Sequence, residues 1–247
     1  MQTLILRREQ VSAGPLILVD AAHPWHCGLT PDLLAPDPRW PDILLERRAA
    51  GLLAACIEAA GGRDGIIPVS GWRSRAQQQE IWDDTMAREG EAFTRDYVAR
   101  PGCSEHETGL AIDLAAAAAR IDFIRPDFPD VGVCAAFRRL AARYGFIQRY
   151  TQHKQACTGI AAEPWHFRYV GAPHALLMQK YDLCLEEYSE FIRQQPRCCQ
   201  LNGRRRAEIH YLPCPGETVT VEMPDGCCQL SGDNQQGFLL TVWRDLR

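Results

Sequence analysis

The segment GCSEHETGLAIDLA, residues 102–115, contains a histidine and an aspartate seven positions apart, His106 and Asp113. The part GLAIDLA is typical of a strand, whose side chains alternate between two faces, so Asp113 shares a face with Gly109 and Ala111. These small neighbours leave space over the strand, and a carboxylate there needs a partner because an unpaired buried charge is costly. A cation is one such partner, although an ion pair with His106 is the commoner arrangement. Gly109 permits the turn that would bring the two side chains together.

The segment AEPWHFRYVG, residues 162–171, contains a second histidine, His166, and a glutamate three positions before it, Glu163. Strand alternation places the three aromatic side chains of this segment on a core face and His166 on the opposite face. A glutamate shortly before a histidine is how hydrolytic metal sites place a general base beside a metal-bound water. Glu163 is therefore a candidate base.

Two histidines and one aspartate, with a glutamate left over, match the format of catalytic zinc, which has three protein ligands and an open fourth position. We predict that His106, Asp113 and His166 bind one Zn²⁺ and that Glu163 is the base. Zinc lowers the pKa of a bound water toward ~7 and polarises a carbonyl under attack. The chemistry that this set predicts is amide hydrolysis.

Arg73, in SGWRSRAQQQEIW, is predicted to lie between a strand and a helix, just before the capping residue Ser74. The start of a helix is already electropositive, so a cation there adds little stability and its position indicates that an anion binds. A substrate carboxylate, or the oxyanion of a tetrahedral intermediate, fits the forked guanidinium. An arginine at the surface without a ligand is the alternative interpretation.

The elements that must position these residues follow from apolar periodicity and turn signals. From about residue 198 the pattern changes to short strands and turn pairs, which predicts a small all-β module at 198–247 after a catalytic domain at 1–195. Other predicted elements are helices at 42–62 (capped by Asp42), 74–88, 130–145 and 173–195, and strands within 15–25, 65–73, 109–115, 145–150 and 164–171.

Composition and charge exclude some classes of function. The 247 residues suffice for one sizeable core, or one domain with a small appendage. The net charge is −4, and the one basic run, residues 204–206, is too short to indicate a nucleic-acid partner. No apolar run approaches the ~18 residues of a membrane span, and the first residues lack a signal-peptide pattern, so we expect no membrane span and a cytoplasmic location.

The eleven cysteines are an odd number, and several lie in apolar segments. A secreted disulfide framework would be short and rich in loops, so most of them are predicted to be buried, reduced thiols. A metal site formed by the pairs Cys198/Cys199 and Cys227/Cys228 is less favoured, because these pairs lack C-x-x-C spacing.

The combined pattern resembles the zinc D,D-carboxypeptidase and D,D-dipeptidase family, the VanY/VanXY group linked to glycopeptide resistance and to trimming of cell-wall peptides. The resemblance covers the chain from about residue 15 to about residue 195. The family pattern S-x-H-x-x-G-x-A-x-D, followed by E-x-x-H, is present as Ser104, His106, Gly109, Ala111, Asp113, Glu163 and His166.

The resemblance implies an α+β fold in which a small antiparallel sheet, flanked by helices, holds one zinc. It implies hydrolysis of the D-Ala-D-Ala bond in peptidoglycan precursor peptides, in the free dipeptide, or in both. It assigns the ligands and the base as above, gives Arg73 a catalytic role, and places Gln78 and Ser104 in substrate binding. Nothing carries over to the last fifty residues.

Two alternatives keep the same scaffold. An L-Ala-D-Glu peptidoglycan endopeptidase would have to reach the wall, and the acidic chain without a recognisable export signal makes that less favoured. A non-catalytic, zinc-containing binding protein with the β module as its working part would have no use for Glu163 and Arg73. The prediction is a cytoplasmic zinc D,D-peptidase.

Overall fold

A computed structural model describes residues 2–26, 30–202 and 204–245. Helices and strands mix along these ranges, and the strands form small antiparallel sheets, as expected for the predicted α+β class. No helix in these ranges is long and apolar enough to cross a bilayer. The helices are α1 (Arg47–Ala59), α2 (Arg75–Glu89), α3 (Glu91–Tyr97), α4 (Gly132–Ala141), α5 (Gln155–Thr158), α6 (Ala172–Tyr181) and α7 (Leu185–Gln194). The strands are β1 (Gln2–Arg7), β2 (Leu33–Leu34), β3 (Leu45–Glu46), β4 (Ile66–Ser70), β5 (Ala111–Ala116), β6 (Phe146–Tyr150), β7 (Glu163–Tyr169), β8 (Arg197–Asn202), β9 (Arg205–Pro213), β10 (Thr218–Met223), β11 (Cys227–Gly232) and β12 (Gly237–Asp245).

The central sheet has the strand order β4-β5-β7-β6, with every neighbouring pair antiparallel. Its apolar face packs on α1 and α4, because alternate residues of each strand point to that side. Phe137 of α4 contacts Phe167 of β7 edge to face, with ring centroids 5.0 Å apart. The strand alternation predicted for this sheet is confirmed by the core residues Ile112, Leu114, Trp165, Phe167 and Tyr169.

The second helix begins as predicted, and the first does not. Ser74 caps α2 through a capping box in which its backbone N–H donates to Gln77 Oε1 at 2.8 Å. By contrast, α1 is capped by Glu46, whose carboxylate accepts from Ala49 N at 3.0 Å, so the prediction of Asp42 as the cap is wrong. The chain before Arg47 is held extended because β3 pairs with β2.

Two other predicted elements are also wrong. The helix predicted over 173–195 is two helices, α6 and α7, separated at Asp182, whose φ is 50°. No strand forms at 15–19, although residues 16–19 are buried. The carbonyls of Pro15 and Ile17 instead accept hydrogen bonds from the Arg168 guanidinium at 3.2 and 3.0 Å, so a side chain takes the place of a partner strand.

The last fifty residues form a four-stranded sheet of order β11-β12-β9-β8, while β10 pairs with β1 from the start of the chain. One face of the four-stranded sheet is buried. Leu16 and Leu18 pack with α6, α7 and this sheet in one shared core. The division into domains at 1–195 and 198–247 stays a prediction, and the packing joins the two parts closely.

The cysteine pairs at the two ends of this sheet cannot share a metal. Cys199 lies opposite Ala207, Ala207 opposite Trp243, and Trp243 opposite Cys227, across four successive strands. Three strand spacings separate the two pairs by about 14 Å. Among the described cysteines, five are buried, two are half-buried and three are exposed, and none is in a disulfide. Cys27 lies outside the described residues.

His174 joins α6, α7 and the C-terminal sheet. It is 2% exposed, and its ring nitrogens form hydrogen bonds with Tyr188 Oη at 2.8 Å and with Thr241 Oγ1 at 3.0 Å. Burial lowers the pKa of His174 to about 3, whereas an exposed histidine in the unfolded chain has a pKa of about 6.5. The unfolded state therefore binds one more proton than the folded state between these two pH values, and stability falls as the pH falls through this range.

Between pH 6 and 4, we expect the free energy of unfolding to decrease with falling pH more steeply in the wild type than in His174→Gln. The difference between the two slopes should be about 1.4 kcal/mol per pH unit. Urea unfolding at several pH values measures both slopes. His210→Gln, which alters a half-buried histidine of β9, serves as the control and should keep the wild-type slope. Equal slopes in the wild type and His174→Gln would contradict a neutral, buried His174.

Candidate active site

The register of the central sheet brings three polar residues side by side. Ser70 of β4 lies opposite Asp113 of β5, and Asp113 lies opposite His166 of β7. A register shift between Pro68 and Ser70 interrupts the β4–β5 ladder at this point. Their side chains lie on the sheet face opposite the apolar core, as the alternation of Asp113 and His166 predicted.

His106 reaches this face from a 3-10 turn, Glu105–Thr108, that precedes β5. The turn ends at Gly109, whose φ of 73° favours glycine, and a Cβ there would lie 3.1 Å from Glu46 N. The turn predicted at Gly109 is therefore confirmed. His106 Nδ1 lies 2.8 Å from the Gly71 carbonyl, to which it can donate, and this leaves Nε2 facing Asp113 Oδ2 at 3.2 Å.

The three predicted ligands meet. His166 Nδ1 is 2.9 Å from Asp113 Oδ1, and one donor atom from each of His106, Asp113 and His166 lies within 4.8 Å of the other two. All three residues are buried. Two imidazoles and one carboxylate at this separation suit one zinc ion with ligand distances of about 2 Å.

Charge is concentrated in this group. Burial opposes protonation of His166, but hydrogen bonds with Asp113 and Glu105 outweigh that penalty and raise its pKa to about 9. Burial and the neighbouring Arg73 lower the pKa of His106 to about 4. Burial also opposes ionisation of Asp113, but the two histidines outweigh it and hold the pKa of that carboxyl well below its usual range. A neutral imidazole at His106 and a carboxylate at Asp113 are the forms in which these groups bind metals.

Glu163 is the first residue of β7 and faces the same space, with Oε2 3.7 Å from His166 Nδ1. Burial, together with the carboxylates of Asp113 and Glu105, raises the pKa of Glu163 to about 8. A cation among the three predicted ligands would lower this pKa and favour the carboxylate. The charge of Glu163 thus depends on whether a cation is bound.

Arg73 occupies the predicted junction between β4 and α2. Its Nη2 donates to Asp113 Oδ2 at 3.3 Å, and its Nε donates to Ser70 Oγ at 3.0 Å. Its Nη1 donates to Gln78 Oε1 at 3.1 Å, while Gln78 Nε2 donates to the Ala99 carbonyl at 2.7 Å. Gln78 therefore positions the guanidinium.

A buried ionic network lies behind His166, and sequence reasoning missed it. Glu105 accepts from Arg149 Nε at 2.8 Å, pairs with Arg168 Nη1 at 2.9 Å and lies 3.5 Å from His166 Nε2. Burial opposes ionisation of Glu105, but the two guanidinium groups outweigh it and hold its pKa well below the usual range. A carboxylate that accepts from the outer nitrogen of a ligand histidine fixes its orientation and tautomer. In the sequence Glu105 directly precedes His106, but its partners Arg149 and Arg168 are far from it in the chain.

All seven predicted site residues line one small cavity of about 50 Å³. Ser104, which is buried, lies on its wall beside the 3-10 turn. Tyr150 also lines the cavity, with its ring centroid 5.0 Å from that of His166. The residues that the structure brings together at the cavity are Arg73, Gln78, Ser104, His106, Asp113, Glu163 and His166.

Comparison with known proteins relates this site to a family. The family model described as VanY, D-alanyl-D-alanine carboxypeptidase, matches residues 42–172. The bifunctional D-Ala-D-Ala dipeptidase and D-Ala-D-Ala carboxypeptidase VanXYC of Enterococcus gallinarum is 39% identical over 157 residues, which cover 63% of this chain and 83% of the relative.

Solved structures extend the likeness to the whole fold. The vancomycin resistance D,D-dipeptidase VanXYg, in complex with a D-Ala-D-Ala phosphinate analog, superposes with a TM-score of 0.96 at 43% identity, over 98% of this chain and 99% of that one. A mutant of the vancomycin resistance D,D-pentapeptidase VanY, in complex with Zn(II), superposes with a TM-score of 0.59 at 31% identity, over 71% of this chain and 98% of that one. The chain belongs to the VanY family of D-alanyl-D-alanine carboxypeptidases.

Proposed function

We propose that this family member is a zinc metallopeptidase that hydrolyses the D-Ala-D-Ala bond of the free dipeptide, of peptidoglycan precursor peptides, or of both. One observation carries the proposal: donor atoms of His106, Asp113 and His166 lie within 4.8 Å of one another, and Glu163 faces the same space. The small cavity suits a substrate whose terminal residue is as small as alanine. The likeness to VanXYC and VanXYg supports this substrate.

His106, Asp113 and His166 would hold the metal, and both imidazoles already face hydrogen-bonding partners on the side away from it. The Gly71 carbonyl faces His106 Nδ1, and Glu105 faces His166 Nε2, so each imidazole is oriented from behind. Bound zinc would lower the pKa of a water and polarise the carbonyl of the scissile peptide. The ion pair between His166 and Asp113 would give way to metal ligation.

Glu163 would take the proton from the attacking water and pass it to the nitrogen of the departing D-alanine. Next to a bound cation Glu163 would be a carboxylate, which can accept this proton, and the carboxylic acid that results can return it. Glu163 lies at the entrance of β7 beside His166 but is not one of the three residues whose donor atoms converge, which supports this role over ligation.

Arg73 would stabilise the oxyanion that develops on the carbonyl oxygen. Ser70 and Gln78 hold the guanidinium in place before substrate binds, and prearranged donors of this kind stabilise developing charge without reorganisation. Ser104, on the cavity wall, would contact the substrate, and Gln78 would act through Arg73.

Arg73→Lys should lower kcat by roughly 10²-fold with little change in KM, since the lysine keeps the charge and loses the fork that binds the transition state. Steady-state kinetics of D-alanine release measure both constants. Arg88→Lys, at the exposed end of α2, is the control. A rise in KM at constant kcat would reassign Arg73 to ground-state binding, and an unchanged kcat/KM would remove it from the site.

The substrate is tested by measuring D-alanine release from D-Ala-D-Ala and from an N-acylated peptide that ends in D-Ala-D-Ala. We expect turnover of at least one of them, and its loss on treatment with a chelator. A peptide containing L-Ala-D-Glu serves as the third substrate. Cleavage of that peptide alone would favour the endopeptidase over the D,D-peptidase.

The predicted cytoplasmic location and the role of residues 198–247 remain proposals. Every proposed site residue lies before position 167, which supports placing the chemistry in residues 1–195. Because the C-terminal sheet shares a core with α6 and α7, we propose that it stabilises the catalytic part.

A further inference from the structure

Two cysteines outside the active site bring their sulfur atoms into contact. Cys157 lies in α5 and is exposed, and Cys184 is the buried N-cap residue of α7. Their Sγ atoms are 3.5 Å apart, although the residues are 27 positions apart in the chain. A disulfide requires the sulfurs to approach by about 1.5 Å more, to about 2.05 Å.

The two segments are held together independently of the cysteines. Lys154 Nζ lies 2.9 Å from Glu187 Oε2, and His153 Nε2 lies 3.1 Å from Asp182 Oδ2. These contacts join the loop between β6 and β7, residues 151–162, to the first turn of α7 and to the end of α6. The thiols therefore stay near each other while the loop is docked.

A metal is the less suitable partner for these thiols. Glu186 offers a third donor within 4.8 Å of both sulfurs, but its two carboxylate oxygens accept from Arg149 at 2.9 and 2.7 Å. Glu187 is also engaged, because it accepts from Cys184 N at 2.9 Å and pairs with Lys154. Among the residues that the structure describes, two sulfur ligands and these engaged carboxylates fall short of a structural zinc site.

The two thiols differ in a way that suits stepwise oxidation. Burial raises the pKa of the Cys184 thiol well above its usual range, so Cys184 is the less reactive of the two thiols toward a peroxide. The exposed Cys157 is open to solvent, and a thiolate that is accessible is the species that attacks an oxidant. Cys157 is therefore the residue oxidised first, and Cys184 is placed to resolve it.

We propose that Cys157 and Cys184 are a reversible redox site, oxidised by a peroxide to a disulfide that ties the β6–β7 loop to α7. The Cys157 thiolate attacks one peroxide oxygen, the O–O bond breaks, and hydroxide leaves with a proton as water. Cys184 sulfur then attacks the sulfenic sulfur of Cys157, and the departing hydroxide takes the Cys184 proton. In sum, two thiols and one hydrogen peroxide give one disulfide and two waters.

The Cys157–Cys184 disulfide would act on a wall of the substrate cavity. Tyr150, the last residue of β6, and Ile160, near the end of the loop, both line the cavity. Glu163, which also lines it, follows the loop as the first residue of β7. Fixing the loop at Cys157 restricts the chain between these positions. The bond itself does not depend on the peptidase activity, so its test is separate from that of the proposed function.

The test exposes the zinc-loaded protein to a few equivalents of hydrogen peroxide, alkylates the remaining thiols and maps the non-reduced peptides by mass spectrometry. We expect a crosslinked peptide with both cysteines, reversal by dithiothreitol, and a Tm about 5 °C above that of the reduced protein. Cys157→Ser and Cys184→Ser should each abolish the crosslink and the Tm shift. Cys198→Ser, which removes an exposed thiol of β8, should retain both.

Two results would overturn the proposal. The first is Cys157 recovered as sulfinic acid, or both cysteines recovered alkylated, at a peroxide level that oxidises other thiols. The second is an additional zinc per chain that Cys157→Ser lacks, which would make the pair a metal site. Cys157 is exposed, so Cys157→Ser decides the question even if Cys184→Ser fails to fold.

Discussion

His166→Ala is expected to remove bound zinc and to abolish D-alanine release together. The substitution deletes one of the three proposed zinc ligands and leaves Asp113 and Glu105 without the imidazole that lies between them. Three protein ligands are the usual minimum of a catalytic zinc site, so the remaining His106 and Asp113 should not retain the ion through dialysis. Elemental analysis and turnover of D-Ala-D-Ala measure the two losses.

The matched control is His26→Ala, which removes an exposed histidine that belongs to no strand of the central sheet. It should keep one zinc per chain and wild-type turnover. Circular dichroism distinguishes loss of the metal from loss of the fold. A folded His166→Ala protein that still carries one zinc per chain would show that the ligand set is wrong.

Glu163→Gln is expected to keep the zinc and the fold while lowering kcat by about 10²–10⁴-fold, the usual contribution of a general acid–base group. The amide has nearly the size of the carboxyl group but cannot accept the proton of the attacking water. The kinetic constants and the zinc content are measured on the same preparation.

Glu89→Gln, at the exposed end of α2, controls for the loss of one carboxylate. It should leave kcat unchanged. Zinc-loaded Glu163→Gln with near-wild-type turnover would exclude Glu163 as the base. Loss of zinc from Glu163→Gln would instead make Glu163 a ligand.

Signals between residues close together in the sequence predicted most of the elements that position the site residues. Strand alternation put Asp113 and His166 on one face because the period of two is a property of the backbone alone. The capping box of Ser74 placed Arg73 at the start of α2, and Gly109 allowed the turn that carries His106. Each of these signals lies within a few residues of the group that it positions.

The features that were missed depend on residues far apart in the chain. Glu105, Arg149 and Arg168 meet only after three segments have packed, so no spacing in the sequence indicates the network. The same holds for the Cys157–Cys184 contact. The start of α1 was placed too early because pairing of β2 with β3, rather than helix propensity, decides where the chain stays extended.

The N-terminal segment shows how tertiary contacts override pattern. Residues 16–19 are as apolar and as buried as a core strand, yet they have no ladder partner. The Arg168 guanidinium binds the carbonyls of Pro15 and Ile17 in place of a neighbouring strand. A buried arginine as a backbone partner has no sequence signature.

The most direct test of the zinc D,D-peptidase is titration of the metal-free protein with Zn²⁺ while D-alanine release from D-Ala-D-Ala, or from the acylated peptide if that is the better substrate, is followed. We predict negligible turnover without metal, a linear rise with added zinc and a plateau at one zinc per chain, with no rise in His166→Ala. Full turnover by the chelator-treated, zinc-free protein, or a plateau that His166→Ala also reaches, would contradict the account.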